Sequence, residues 1–565
     1  MDSFEELSRA VLDELLCWDP SNATQMGWHK YNHEMMDPSR ESYAHQAARL
    51  REFIDIFDNL SEATLTADEL LDKDLAIHLF RLRVFEIERL RIHEQMSIAE
   101  EEVGRSLFLL FARDHLPFEE RLEAICSRLE KVPVFLSTYR NTLTSPYRAW
   151  IEVSLETGDR LPEFLESVST TSKAKLGGDH PLVMRLFDAV RGAIDALTSY
   201  EGWLRGEVLP ASSQVSSICE EDLEEYMVLK GLGVSPDEAV KISEMCLAAA
   251  NRERRKAAAE IVPSGDLNEA IRKVRADHPA TFEGVLKGYR DAIHEARDFT
   301  REKDLATIPD GEKLLVIETP HFMRHLAPFA AQYEPGRFTS DRTGLFLVTP
   351  DNGNPQLLEE HSHASIYNTA VHEGYPGHHL QGIMSNTDPS YIRALCMAPC
   401  FGEGWALYCE DLMYNMGFHR TPMGRLAQLN DLVFRIVRIV ADVDLARKRL
   451  STEEAAALLT RETGMEGKAA FYEAVGYTYG PTYSMSYFLG KLQLLQLKED
   501  VEATLGDRFS LKEFHDSLLG AGCLPMHFMR RIESIRLKRE HGVVLKPHRE
   551  SLVEFASRMA EEGRV

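Results

Sequence analysis

The spacing of the apolar residues constrains this chain more than any other feature. Over long stretches they recur every third or fourth position with charged residues between them, as Tyr43, Ala47 and Leu50 illustrate. This period matches the turn of an amphipathic α-helix and not the alternation of a strand. The pattern fills most of residues 40–130 and returns over 498–563. We therefore predict a mainly α, multi-helix fold that is large enough to enclose a central cleft.

Two short segments interrupt the helical pattern in the second half of the chain. Residues 313–320 and 344–350 are rich in apolar and β-branched residues, and each ends at Thr-Pro. They predict a small β-sheet or hairpin within 313–350. We expect 344–350 to form an edge strand, to which an extended substrate could add. We also expect a helical scaffold lobe over 1–305 and a catalytic lobe over 306–565, joined in one continuous unit.

Charge and composition exclude several classes of protein. The 565 residues include 64 basic and 90 acidic ones, which gives a net charge of −26. This negative charge argues against binding to nucleic acids or to anionic membranes. The chain starts with an acidic stretch that does not resemble a signal peptide, and no run approaches the roughly 18 apolar residues of a membrane span. We therefore expect a cytoplasmic protein whose eight cysteines are free thiols.

One stretch, residues 370–381, has the density of histidine and glutamate that is found in metal sites. It contains His372, Glu373, His378 and His379. A His-Glu pair followed by a further His on the same helix is typical of zinc hydrolases, in which the histidines bind the ion and the Glu takes a proton from the attacking water. The pattern predicts His372 as a ligand and Glu373 as the general base. A Pro-kinked helix with incidental histidines is the alternative.

The second histidine ligand does not stand at its usual position four residues after the first. Pro376 stands there, where a helical step of four turns about 40°. His378 and His379 lie six and seven residues on, which correspond to turns of about 120° and about 20°. Because Pro and Gly disrupt regular helices, we expect a bulge at Pro376–Gly377 that brings His378 into place. His379 stays the alternative, because in a straight helix it shares the face of His372.

A third ligand is expected from a neighbouring helix. Glu403 lies between two glycines at the start of an apolar-periodic segment. Glycines at these positions would let the backbone approach the metal closely. Glu410, seven residues further on, shares the same helix face and is a candidate partner for a ligand histidine. In the alternative interpretation, Glu403 is a helix N-terminal acid placed by the helix dipole.

Further candidates lie downstream, on a long predicted helix and in a tyrosine-rich stretch. Arg435 and Arg438 share one helix face and could bind a substrate carboxylate, although they could equally pair with Asp442 to lock helices together. Tyr487 is the candidate donor to the oxyanion of a tetrahedral intermediate. Tyr483 is a candidate substrate contact. Aromatic core packing is the alternative role for either tyrosine.

Two of these motifs together resemble a known family. His-Glu-x-x-Pro-Gly-His-His-Leu-Gln begins at His372, and Gly-Glu-Gly-Trp-Ala begins at Gly402. Both are similar to motifs of the bacterial family catalogued as domain of unknown function 885 (DUF885), and the resemblance extends from Trp18 to Lys491. That family is similar to glutamate-type, gluzincin-like helical zinc metallopeptidases, which implies a metallopeptidase-like fold. One departure is Ala446, which stands where the family has a His.

These observations predict a zinc-dependent hydrolase, in the first place a peptidase, with one zinc per chain held by His372, His378 and Glu403. Its substrate would be a peptide or a small amide, the β element would lie near the active site, and a homodimer is left open. One alternative is a zinc hydrolase of a non-peptide amide or small metabolite. Another is a catalytically inactive helical binding protein that kept the scaffold. A serine hydrolase is disfavoured because the chain lacks a G-x-S-x-G motif.

Overall fold

The computed structural model describes residues 3–114, 116–215, 220–320, 324, 330–350 and 355–565. Within these ranges the chain is mainly helical, as the apolar periodicity predicted, and it contains one small sheet. No helix of the described residues is long and apolar enough to cross a membrane. The seven cysteines of the described part are free, and Cys219 lies outside it.

Fourteen helices precede the sheet in the described part of the chain. They are α1 (Phe4–Trp18), α2 (Pro20–Met26), α3 (Arg40–Asp58), α4 (Ala67–Phe85), α5 (Ala99–Ala112), α6 (Phe118–Thr142), α7 (Arg148–Gly158), α8 (Leu161–Leu176), α9 (Pro181–Trp203), α10 (Leu209–Ala211), α11 (Glu220–Leu229), α12 (Pro236–Ile261), α13 (Leu267–Ala276) and α14 (Phe282–Glu302). Polar caps fix the start of several of them. At α12, the Ser235 hydroxyl accepts a hydrogen bond from the N–H of Glu238, whose carboxylate accepts one from the N–H of Ser235.

The sheet and eleven further helices make up the rest of the described chain. The strands are β1 (Lys313–Glu318), β2 (Ala330–Tyr333) and β3 (Thr343–Val348). The helices are α15 (His363–Glu373), α16 (His378–Ser385), α17 (Tyr391–Ala394), α18 (Pro399–Met416), α19 (Pro422–Ala446), α20 (Thr452–Thr463), α21 (Gly467–Tyr479), α22 (Tyr483–Leu505), α23 (Leu511–Gly520), α24 (Met526–Arg536) and α25 (Leu552–Glu562).

The sheet has the strand order β1-β3-β2, so β3 is its central strand. β3 runs parallel to β1, with Lys313 opposite Thr343, and antiparallel to β2, with Ala330 opposite Val348. The predicted strand in 313–320 is confirmed as β1. The prediction that 344–350 is an edge strand is wrong, because β2 covers its other side. β2 has the sequence Ala-Ala-Gln-Tyr, which carries no alternating apolar pattern, and it was not predicted.

Apolar side chains of the described residues pack into two main cores. The larger core joins α3 and α4 to α11 and the helices that follow it, and the second core lies among α5 to α9. β3 contributes to both: Phe346 and Val348 belong to the first core, and Leu345 and Leu347 to the second. Successive residues of a strand point to opposite faces, so one strand can serve two cores. The lobe boundary at residue 305 stays a prediction.

The start of α15 is set by Ser362, whose hydroxyl accepts a hydrogen bond from the N–H of Ser365 at 3.1 Å. From there the apolar face of α15, which includes Ile366 and Ala370, packs into the larger core. His372 is buried in the last turn of this helix. The cap and the apolar face together fix the position of the first predicted metal ligand.

Candidate metal centre

The segment between His372 and His378 breaks the helix instead of bulging within it. α15 ends at Glu373 and α16 begins at His378, and the Tyr375–Pro376 peptide bond between them is cis. The predicted bulge within one continuous helix is therefore wrong. At Gly377, the N–H donates to the carbonyl of Val371 at 3.1 Å, and a Cβ atom would lie 1.9 Å from the carbonyl oxygen of His372. Only glycine fits this close return of the chain.

Three side chains converge behind this break, and they are the three predicted ligands. The Nε2 atom of His378 lies 3.2 Å from Oε2 of Glu403, and the Nε2 atom of His372 lies 3.7 Å from the same oxygen. One ligand atom from each of His372, His378 and Glu403 falls within 4.8 Å of the others. Two imidazole nitrogens and one carboxylate oxygen thus surround a common point.

His379, the alternative second ligand, is directed away from this point. It is fully buried, and its Nε2 atom lies 2.9 Å from Oε2 of Glu312. The same oxygen accepts a hydrogen bond from the hydroxyl of Tyr375, and Arg297 pairs with the other oxygen of Glu312. Consecutive residues of a helix point about 100° apart, so His378 and His379 cannot both face the cluster. The structure brings His378 to it.

His372 and Glu403 are themselves held by further hydrogen bonds. Nδ1 of His372 lies 2.7 Å from Oε1 of Glu410, the residue that was expected to support a ligand histidine. The other oxygen of Glu410 accepts a hydrogen bond from Asn368 at 3.0 Å, and Asn368 also donates to Asp431 at 2.7 Å. On the opposite ligand, the Tyr483 hydroxyl donates to Oε1 of Glu403. Each carboxylate therefore has one oxygen for a histidine and one for a supporting residue.

The charges in the cluster depend on each other. Burial would lower the pKa of His372, but hydrogen bonds to Glu403 and Glu410 outweigh it and raise this pKa to about 10. Burial likewise opposes the charged form of His378, and the carboxylate of Glu403 raises its pKa. Burial would raise the pKa of Glu403, yet the charges of His378 and His372 hold it well below its usual range. The carboxylates around the two rings thus favour positive charge at this point, as they would favour a bound metal cation.

A close helix crossing brings the tyrosines of α22 to the ligand on α18. A Cβ atom on Gly490 would lie 1.8 Å from the carbonyl oxygen of Cys400, and one on Gly404 would lie 2.5 Å from the carbonyl carbon of Gly490. The Tyr483 and Tyr487 rings lie 5.8 Å apart, and the Tyr487 ring lies 6.4 Å from that of His372. Tyr483 contacts the ligand Glu403, and the oxyanion role of Tyr487 stays a prediction.

A protein-family match covers most of the chain. The family model described as bacterial protein of unknown function (DUF885) matches residues 20–532. The chain belongs to the DUF885 family. No curated protein gives a significant match to it.

Two solved structures share the fold of this DUF885 protein. One is a protein described as a putative lipoprotein of unknown function from Shewanella oneidensis; its TM-score is 0.76 at 21% identity, over 94% of this chain and 100% of that one. The other is described as a putative lipoprotein from Colwellia psychrerythraea; its TM-score is 0.81 at 19% identity, over 95% of this chain and 100% of that one. Likeness at such low identity shows the fold alone.

The two arginines of the DUF885 chain that were predicted to bind substrate have different surroundings. Arg438 pairs with Glu473 and donates to the Tyr477 hydroxyl at 3.2 Å. Arg435 has a buried Nε without a hydrogen-bond partner, and among the described residues no ion pair engages it. Among the described contacts, neither arginine forms an ion pair with Asp442. Asp442 instead accepts hydrogen bonds at the start of α22, from the N–H of Thr482 and the hydroxyl of Ser484.

A cavity of about 1100 Å³ in the DUF885 chain joins these groups. Its wall includes His372, His378, Glu403 and the carboxylate of Glu373, which has no hydrogen bond or ion pair with any described residue. The residues of β2 line another part of the wall. Sequence reasoning missed several polar residues that line the cavity or support the cluster, because they lie outside the motifs and carry no local pattern: Glu312, Gln332, Glu334, Asn368 and Asp431.

Proposed function

We propose that this protein is a zinc-dependent hydrolase that cleaves peptide bonds, similar in its chemistry to the glutamate-type zinc peptidases. The observation that carries the proposal is the convergence of His372, His378 and Glu403 beside Glu373 on the wall of one cavity. Two histidines and one glutamate form a ligand set of catalytic zinc sites, whereas structural zinc sites have four protein ligands. Three ligands leave one position open for water or substrate.

The residues around the cluster fit a zinc ion in a second respect. Ligand histidines in zinc sites commonly donate their other ring nitrogen to a carboxylate, which fixes the tautomer and the ring orientation. His372 has Glu410 in this position, and Glu410 is in turn held by Asn368. Glu403 is oriented by the hydroxyl of Tyr483. A chance grouping of acids and histidines would not require this supporting layer.

Each residue then has a role in hydrolysis. A bound zinc would act as a Lewis acid and lower the pKa of a water in its open position toward about 7. Glu373 takes a proton from the water that attacks the carbonyl carbon, and it passes this proton to the leaving amine. Tyr487, whose ring packs beside His372, donates a hydrogen bond to the oxygen that becomes negatively charged.

The position of β2 favours a peptide substrate over other amides. β2 lines the cavity, and it pairs with β3 along one side. An extended peptide can add to such an edge through main-chain hydrogen bonds, the role that was first expected of 344–350. The cytoplasmic location and the oligomeric state stay predictions; the description of the structural neighbours as lipoproteins, if carried over to this chain, would place it outside the cytoplasm.

Metal analysis together with a cleavage assay tests the proposal. We expect about one zinc per purified chain, lost in His372→Ala and Glu403→Ala and retained in His363→Ala, an exposed histidine on the same helix. We expect Glu373→Gln to keep its zinc and to lose cleavage of a mixed peptide library. A wild-type protein that takes up no zinc would contradict the metal site. A zinc-loaded wild-type protein that cleaves no peptide would favour the alternative function, hydrolysis of a non-peptide amide.

A further inference from the structure

The cavity wall also carries two charged groups, Glu334 and Arg435, whose charged ends form no ion pair among the described residues. Resting on the proposed function, we infer that the substrate is a short peptide with both ends free. Its ammonium end is bound by Glu334 and its carboxylate end by Arg435. Neither residue lies in a sequence motif of the metal centre, and both line the same cavity as the ligands.

Glu334 is an unpaired acid beside His378. It follows β2 directly, and a Cβ atom on Gly382 would lie 2.7 Å from its Cδ atom. Gly382 is four residues after His378 on α16, so the two share one side of that helix. Arg113, the cation next to Glu334, binds the backbone carbonyl of Glu334. No described residue forms a hydrogen bond or an ion pair with the Glu334 carboxylate; burial raises its pKa, and the charges of His378 and Arg113 act on it only at a distance.

Arg435 is a cation beside His372, the other histidine of the cluster, and it forms no ion pair with a described residue. Its guanidinium lies 4.7 Å from the centre of the Tyr487 ring, and that ring lies 6.4 Å from the ring of His372. Its Nε atom is buried without a hydrogen-bond partner. On α19, Arg438 pairs with Glu473. Asp431, whose pKa burial raises and the nearby Arg435 charge lowers in part, accepts a hydrogen bond from Asn368 and forms no ion pair with Arg435 among the described contacts.

These two charges define what a ligand must carry. A charge that is partly removed from water is costly unless an opposite charge or hydrogen bonds compensate it. A ligand that compensates both must have a cationic donor group near His378 and an anionic acceptor near His372. Guanidinium groups bind carboxylates through two parallel hydrogen bonds, and a glutamate accepts strongly from an ammonium group. A short peptide with free ends has both groups, one on each side of its peptide bonds.

The binding of end-blocked peptides tests this inference separately from catalysis. The protein would be the zinc-loaded Glu373→Gln variant, and the probes would be trialanine with free ends, N-acetylated trialanine and trialanine amide, measured by calorimetry. We expect each block to weaken binding at least tenfold, since each removes a charge-assisted hydrogen bond. In Glu334→Gln, N-acetylation of the peptide should weaken binding less than threefold. In Arg435→Gln, amidation of the peptide should weaken binding less than threefold.

Matched controls keep the failure of this inference distinct from failure of the proposed function. Glu359→Gln and Lys468→Gln remove other charges from the cavity wall. Both variants should keep the full loss of affinity that each blocked peptide shows with the parent protein. Zinc content and thermal unfolding would show that each variant is loaded and folded. The inference is overturned if blocked and free peptides bind equally well. It is also overturned if the acetylated peptide still loses tenfold in affinity for Glu334→Gln, or the amidated peptide for Arg435→Gln. Cleavage of blocked peptides by the wild-type enzyme would still support the proposed function.

Discussion

Nδ1 of His372 lies 2.7 Å from Oε1 of Glu410, while Nε2 of the same ring faces Glu403 at 3.7 Å. The first contact fixes which ring nitrogen is free for a metal, because a nitrogen that donates to a carboxylate leaves the other one as the acceptor. In the proposed zinc site, Glu410 would thus prepare His372 for coordination, although it lies on α18 and the histidine on α15.

We expect Glu410→Gln to weaken zinc binding by about 10- to 100-fold, the usual cost of losing such a supporting carboxylate. The protein should remain folded, because glutamine keeps the size of the side chain. A competition titration with a zinc chelator of known affinity measures the change. Glu359→Gln, an exposed acid on the cavity wall, is the control and should bind zinc as the wild type does. Equal affinity in both variants would show that Glu410 does not orient His372.

Zinc binding should release protons and weaken in acid. Hydrogen bonds to Glu403 and Glu410 overcome burial and raise the pKa of His372 to about 10, so this ring is cationic at pH 7 in the metal-free protein; the Glu403 charge also raises the pKa of His378. A ligand histidine must be neutral, so each zinc should displace at least the one proton of His372 at pH 7. Calorimetry in buffers of different ionisation enthalpy measures this number. Release of no protons would contradict the ionised cluster.

The same pKa of His372 sets the pH dependence of the metal-free protein. A histidine whose folded-state pKa is raised contributes stability that is fully present below its unfolded pKa of about 6.5, and that is lost as pH rises through its folded value. The Tm of the metal-free protein should therefore fall between pH 7 and pH 10. His372→Gln should flatten this part of the profile. An unchanged slope in that variant would assign the loss to other groups.

The two tyrosines near the cluster should have separable effects. Tyr483 donates to Glu403, whereas Tyr487 packs its ring beside His372. We expect Tyr483→Phe to weaken zinc binding by about tenfold, because an oxygen of a buried carboxylate loses its donor. We expect Tyr487→Phe to keep its zinc and to lose about 100-fold in kcat, the usual cost of removing one oxyanion donor. The reverse pattern would exchange the two roles.

The sequence was most informative where the physics is local. Helical periodicity depends on neighbours three and four residues apart, and it predicted the mainly helical fold. The ligands His372, His378 and Glu403 were also proposed from motifs, because metal chemistry demands particular residue types close together. The form of the link was not predictable: Pro376 and Gly377 signal an interruption, but whether the helix bulges or ends depends on contacts made elsewhere.

Long-range placement was beyond sequence reasoning. β2 is four residues long, and its position at the sheet edge depends on pairing with β3, from Tyr333 opposite Leu345, 12 residues on, to Ala330 opposite Val348, 18 residues on. Glu334 follows this strand, so its place in the cavity could not be anticipated either. Glu312 stands before β1 with no motif around it, yet it contacts three side chains of distant elements. Such residues are identified only when the fold brings them together.

The crossing of α18 and α22 should not tolerate a larger residue at Gly490. A Cβ atom there would lie 1.8 Å from the carbonyl oxygen of Cys400, so Gly490→Ala must push the helices apart. We expect a loss of about 2 kcal/mol in the free energy of unfolding, together with weaker zinc binding, because Glu403 lies at the crossing. Gly476→Ala is the control. A Cβ atom on this helical glycine would have its nearest neighbour, Cε1 of Tyr479, at 4.0 Å, so alanine there should leave the stability unchanged or raise it. Equal stability of the two variants would contradict the close crossing.

Glu312 should stabilise the link between His372 and His378. Its carboxylate contacts His379, Tyr375 and Arg297, which belong to α16, to the link and to α14. Removing the acid from a buried charged network typically costs about 3 kcal/mol, because the partners keep their polar groups and lose their acceptor. We expect Glu312→Ala to lose about this much in denaturant unfolding. Glu318→Gln, at the far end of β1 in a solvent-exposed pair with Arg324, should lose less than about 1 kcal/mol.

The pH profile distinguishes this charged network from simple packing. Burial would raise the pKa of Glu312, but hydrogen bonds from His379, Tyr375 and Arg297 outweigh it and lower the pKa to about 2. A carboxylate with a depressed folded-state pKa contributes stability that is present above its unfolded pKa, about 4.3, and is lost as pH falls through its folded value. The wild type should therefore lose its advantage over Glu312→Gln as pH falls from 5 to 2. If the difference between the two proteins stays constant over this range, Glu312 acts through its shape and not through its charge.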